Sequence, residues 1–389
     1  MTSIYSIQSL VLELPPSCIE FCPVARDYFV VGTYFLEKKE QEATAEDTAE
    51  NNNDEESEEV EKKPQTRTGS LTLFKVEDDK AIQVSTTQTP YAILDIHFSP
   101  HDPTLLAVAG STGCVQLFNL QSTSSSASLQ PLSTYQYFDP STLVLSLAWH
   151  PTISTIIGVT TSPGQVYLVD ISLPPNEVED TAKEILAHDL EAWTLSFSSS
   201  GTSIYSGGDD ATLRFSGLPS SLTSTTTSSP TSDDEQEDQQ YLPSWQDRRA
   251  HNAGVTAILP LPSEQNILIT GSYDDNIRVL YGPLQGRKQV LAEENLEGGV
   301  WRLKMLRAEG EKSRYTVLAS CMHAGARIVE VKKDEGGEWT IEVLAKFEEH
   351  KSMNYGSDVQ PGSENGGEQS IISTSFYDKL LCLWTFTLP

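Results

Sequence analysis

Near neutral pH a proton is most readily moved by histidine, and the chain has seven of them among 389 residues. Three are each followed by an aspartate at a similar interval. His188 precedes Asp210, His251 precedes Asp274 and His350 precedes Asp378, at separations of 22, 23 and 28 residues. Brought together, each pair would make an acid–base dyad. The bland alternative is a clasp, in which imidazole and carboxylate satisfy otherwise exposed backbone groups. Recurrence favours the clasp, because a repeating fold uses one per unit. His97 and His101 stand four apart, the interval of a helical metal pair, but Pro100 lies between them and the flanks read as strand. With His150 they fall at the ends of strands, on the face of the domain opposite the aspartate turns. His323, in CMHAGARI, is left over. It occupies a turn where other units carry an acid, and its type suits a general base. It suits a solvated turn residue equally well.

The remaining composition excludes more than it suggests. Cys18, Cys22, Cys114, Cys321 and Cys382 are odd in number and contain no C-x-x-C pair, so a reducing intracellular setting and no metal site are expected. Lys plus Arg is 26 against 55 Asp plus Glu, a net charge of −29, which argues against nucleic acid as the main partner. No apolar run approaches the length of a membrane span, and the start MTSIYSIQSLVLELPP has no basic lead of a secretory signal. No G-x-S-x-G elbow, P-loop, G-x-G-x-x-G or H-E-x-x-H occurs, and no cofactor is expected.

The elements that would position these residues are short strands with period-two patterning and turn punctuation. The clearest unit runs from His251 to Leu280: VTAILPL, NILITGS and NIRVL, with Asp274 in the tight turn between the last two. Equivalent turns fall at Gly69, Gly113, Gly164, Asp210, Asp274, His323 and Asp378, spaced 44 to 64 residues apart. That is the plan of WD-type propeller blades, which cannot bury their faces singly. The expectation is an all-β, seven-bladed WD-repeat propeller spanning residues 1–389, closed by an N-terminal strand within residues 5–14. A pair of β-sandwiches fits the repetition less well. Two insertions should be disordered: residues 37–68, with twelve acidic and five basic residues, and residues 219–240, Ser/Thr-rich and then acidic.

On the face carrying the aspartate turns, aromatics gather. Trp193 and Trp301 start first strands, Tyr273 and Tyr377 precede turn acids, and Tyr355 follows His350. Glu191, Asp275 and Arg302 belong to the same face. These rings either pack between blades or line the mouth of a central channel. On chemistry alone the default is a non-catalytic scaffold for protein complexes.

The segments HDLEAW, GSYDDNIRVL, GGVWRLK, CMHAGARIVE, EHKSMNYGSD and SFYDKLLCLW, in this order, resemble the diphthine methyl esterases, WD-repeat proteins of diphthamide synthesis. The resemblance covers about residues 188–384; the first three units match only as generic repeats. It implies hydrolysis of the methyl ester of a modified histidine on elongation factor 2, releasing methanol and diphthine. The partner implied is elongation factor 2 as protein substrate, for a cytoplasmic monomer with neither nucleic acid nor membrane insertion. In that setting His323 would activate a water, and Ser320 or Ser375 would be alternative nucleophiles. Arg302 or the Gly298–Gly299 N–H groups would meet the oxyanion. Trp193, Glu191, Tyr273, Asp275, Trp301, Tyr355 and Tyr377 would bind substrate, including its trimethylammonium group.

Overall fold

A computed structural model of the chain describes residues 2–37, 66–123, 126–219, 242–362 and 367–388. Most of the two insertions, residues 38–65 and 220–241, lies outside them. Within the described residues the strands form seven antiparallel blades around one axis. The inner strands are Pro16–Phe21, Ile93–Phe98, Val144–Trp149, Ala192–Phe197, Val255–Pro260, Arg302–Glu309 and Gly356–Val359. Each begins a sheet whose later strands step outward.

The second strand of every blade explains the packing. Tyr28–Thr33, Ile156–Thr161, Ser203–Gly208 and Ile267–Ser272 are buried almost throughout, as expected of a strand covered on both faces by neighbouring blades. Small residues let the next inner strand approach. A Cβ on Gly207 would lie 2.6 Å from Val255 Cγ1, and one on Gly271 would lie 2.5 Å from Val300 Cγ1. Branched and aromatic side chains fill the rest: Ile269, Val279, Val300, Val317 and Val329 share one cluster between the fifth and sixth blades.

The N-terminus closes the ring, but as two strands where one was expected. Gln8–Val11 pairs antiparallel with Leu380–Thr387 and supplies the outer strand of the seventh blade. Thr2–Ile4 pairs parallel with Trp339–Phe347 and adds a fifth strand to the sixth blade. The first blade packs across the seam, where Ile19, Phe21, Phe29 and Phe74 meet Ile372, Leu381 and Leu383.

Two boundaries shift. Gly69 is inside the strand Arg67–Glu77, not in a turn, and that strand takes in Arg67 and Thr68, which the first insertion was expected to include. Gly69 is small because a Cβ there would collide with the Thr33 carbonyl. Among the described residues no helix is long and apolar enough to cross a membrane.

Candidate functional site

The three histidine–aspartate pairs sit where blades turn, and they differ. In the fourth blade His188 Nδ1 donates to Asp210 Oδ1 at 2.9 Å, and its Nε2 meets Ser206 Oγ at 2.8 Å. Burial disfavours the Asp210 charge, but the His188 bond and the Asp189 and Thr212 N–H groups outweigh it and hold the carboxyl below its usual range. In the fifth and seventh blades the direct bond is absent, contrary to expectation. His251 Nε2 meets Thr270 Oγ1 at 2.9 Å and His350 Nε2 meets Ser373 Oγ at 2.7 Å. Asp274 is taken instead by Arg278, whose Nη1 and Nη2 reach its two oxygens at 2.9 and 2.8 Å. A bidentate guanidinium is a stronger partner than a neutral imidazole. One bond recurs in all three blades: the acid accepts the N–H of the residue after the histidine, Asp189, Asn252 or Lys351. These side chains hold the turns.

On that face the rings form one continuous belt. Trp193 contacts Trp301 at 5.5 Å and Tyr273 at 6.4 Å, Tyr273 contacts Trp301 at 5.7 Å, and Trp301 contacts Tyr355 at 5.0 Å. Tyr377, 71% exposed, joins through Phe376, which lies 5.5 Å from Tyr355 and 5.0 Å from Tyr377. Sequence reasoning missed Phe376 and Tyr34, which extends the belt at 6.2 Å from Phe376. It also missed Asp209, whose Oδ1 accepts the Trp193 indole N–H at 3.1 Å. Burial raises the Tyr273 pKa first, and the charges of Asp209 and Glu191 add to it. The belt is therefore backed by carboxylates.

His323 is exposed in the turn Cys321–Gly325, and among the described residues nothing hydrogen-bonds to its ring. Two contacts attach that turn to the belt. Met322 bridges to Asn354, next to Tyr355, and a Cβ on Gly299 would lie 2.6 Å from Met322 Sδ. Asp275, with φ 65°, is in the neighbouring turn of the fifth blade. Ser320 is buried and donates to Ser357 Oγ at 3.0 Å, which donates on to Asn354 Oδ1 at 3.1 Å; Ser375 is buried too. Neither serine is hydrogen-bonded to His323.

Arg302 lies below the mouth, in a central cavity of about 330 Å³ that Trp301 and Tyr355 also line. Its Nη2 binds Asp95 Oδ1 at 2.8 Å. Asp95 Oδ2 accepts the Ser146 hydroxyl and the Leu147 N–H at 2.9 and 3.0 Å. His97, next to last in the inner strand Ile93–Phe98, faces this channel, with Nδ1 3.3 Å from Glu20 and Nε2 3.6 Å from Asp95. Burial opposes its charge, but the two carboxylates outweigh burial and push its pKa up to about 10. Lys304 Nζ lies 3.0 Å from Asp358. The spacing carries a signal for this arrangement: Asp95 with His97, and Arg302 with Lys304, are two apart on strands and so share a side. His101 and His150 do link blades away from the mouth. His101 Nε2 donates to the His150 carbonyl and His150 Nε2 donates to Gly201, both at 2.9 Å. Among the described residues no group of three His, Cys, Asp or Glu side chains is disposed to hold a metal.

Known proteins fit this picture. The pattern of the WD domain, G-beta repeat matches residues 181–215 and 245–279, in the fourth and fifth blades. A Schizosaccharomyces pombe protein named diphthine methyltransferase is 30% identical over 377 residues, covering 96% of this chain and 95% of its own. Human and Saccharomyces cerevisiae proteins of the same name are 29% and 26% identical, covering 92% and 96% of this chain and 75% and 96% of theirs. A chain in a crystal structure of the mitotic checkpoint complex superposes with a TM-score of 0.63 at 12% identity, over 99% of this chain and 93% of that one, and shows the fold alone.

Proposed function

The chain belongs to the diphthine methyltransferase family, and on that premise we propose that it hydrolyses the methyl ester of methylated diphthine on elongation factor 2. The observation that carries this reading is the belt Trp193–Tyr273–Trp301–Tyr355, backed by Asp209 and Glu191 and attached to the turn of His323. Aromatic faces and carboxylates attract a trimethylammonium group, each cation–π contact contributing ~0.5–2 kcal/mol. The ester beside that group then lies at the channel mouth.

His323 takes a proton from a water as the water oxygen attacks the ester carbon. The carbonyl oxygen becomes an oxyanion, and the Arg302 guanidinium is the nearest fixed cation to the belt along the chain. The bond from carbon to the methoxy oxygen breaks, His323 returns the proton, and methanol and a carboxylic acid leave. An exposed imidazole in a turn has the access this role requires.

The test is the purified chain with methylated diphthine on elongation factor 2 in ¹⁸O-water. Methanol release with label in the carboxylate is expected. Methyl transfer to another acceptor would give no methanol, and binding without reaction would favour an adaptor; either result overturns hydrolysis. Trp301→Ala is expected to raise KM roughly 2- to 30-fold, the loss of one cation–π contact. An unchanged KM would remove Trp301 from the cage.

A further inference from the structure

The charged groups of the central channel are arranged asymmetrically. The side chains of Arg302, Lys304 and His97 are 28%, 42% and 36% exposed, whereas those of Asp95, Asp358 and Glu20 are 1%, 3% and 14% exposed. Cations face the cavity and carboxylates stand behind them. Each acid is also engaged by backbone: Asp95 by the Leu147 N–H at 3.0 Å, Asp358 by the Phe21 N–H at 2.8 Å and Glu20 by the Phe98 N–H at 2.7 Å. What a solute in the channel meets is therefore mainly N–H, in a chain whose net charge is −29. Guanidinium and ammonium carry five and three donors, so their bonds to Asp95 and Asp358 leave donors over. Trp301 adjoins Arg302, and Lys304 follows at about 7 Å along the strand.

We propose that the channel is a carboxylate-binding site, in which Arg302, Lys304 and His97 receive the acid group of a betaine whose quaternary ammonium rests in the aromatic belt. The choice of a betaine rests on the hydrolysis proposed above, whose product carries both charges; the cationic lining stands without it. The substrate ester carries the cation alone, so the channel discriminates product from substrate. It would also make the product a competitive inhibitor.

The experiment is calorimetric titration of the full chain with glycine betaine, tetramethylammonium and acetate at low salt. Glycine betaine is expected to bind roughly tenfold more tightly than tetramethylammonium, the contribution of charge-assisted hydrogen bonds. Lys304→Met and Arg302→Lys should reduce that advantage and leave tetramethylammonium binding unchanged, while Trp301→Ala weakens both ligands. Melting curves identify any variant that fails to fold, and His97→Gln then serves in its place. The proposal is overturned if wild type binds the two ligands equally, or if folded channel variants keep the full preference. Betaine preference without methanol release would refute hydrolysis and leave the site standing. Methanol release without the preference would refute the site alone.

Discussion

Replacing His323 by alanine is expected to lower methanol release about 10²- to 10⁴-fold, the usual contribution of a positioned general base. The melting temperature should be unchanged, because the imidazole is exposed and among the described residues nothing hydrogen-bonds to it. The turn is held by backbone instead: Cys321 N–H donates to Gly325 O at 2.7 Å and Ala324 N–H to Cys321 O at 2.8 Å. KM should change little, since the belt is intact. Full activity in His323→Ala would remove the residue from the mechanism. The buried hydroxyl chain from Ser320 through Ser357 to Asn354 would then hold the alternative nucleophile.

The second large effect is acid destabilisation. His251 and His350 are 4% and 5% exposed, and each pKa is pushed down to about 4. Burial is the main cause in both, and the Arg278 charge adds to it at His251. In the unfolded chain the same groups titrate near 6.5. Between about 4 and 6.5 the unfolded state therefore binds more protons, and stability rises with pH. The contribution is complete above the unfolded value and is lost as pH falls through the folded one. Each histidine accounts for about 3 kcal/mol on that scale. The urea midpoint should fall steeply from pH 7 to pH 4.5. His350→Gln, which cannot charge, should show a shallower slope. An identical slope in the variant would show that His350 does not titrate on unfolding. The clasp carboxylate Asp210 is held below its usual range, so its loss belongs to lower pH.

The repeating plan was legible in the chain because strand patterning is local. Alternating apolar residues, Gly113 and Gly164 at positive φ, and the turn acids Asp210, Asp274 and Asp378 each report on their neighbours in sequence. Seven units followed from that, with closure by the N-terminus. The belt was half legible. Trp193, Tyr273, Trp301 and Tyr355 were marked by their place in the repeat, whereas Asp209 and Phe376 gain meaning only from the rings beside them.

What the sequence determined by itself was the unit, its count and the face on which Trp193, Trp301 and His323 lie, since these depend on spacing within a blade. The folded structure decided which side chains partner, within a blade and between blades. Asp274 turned to Arg278 because the guanidinium reaches both its oxygens. His97 entered the channel because ring closure sets the second blade's inner strand opposite the sixth, with Asp95 from one meeting Arg302 from the other. That contact spans 207 residues of chain and depends on the curvature of the ring, which no local pattern encodes.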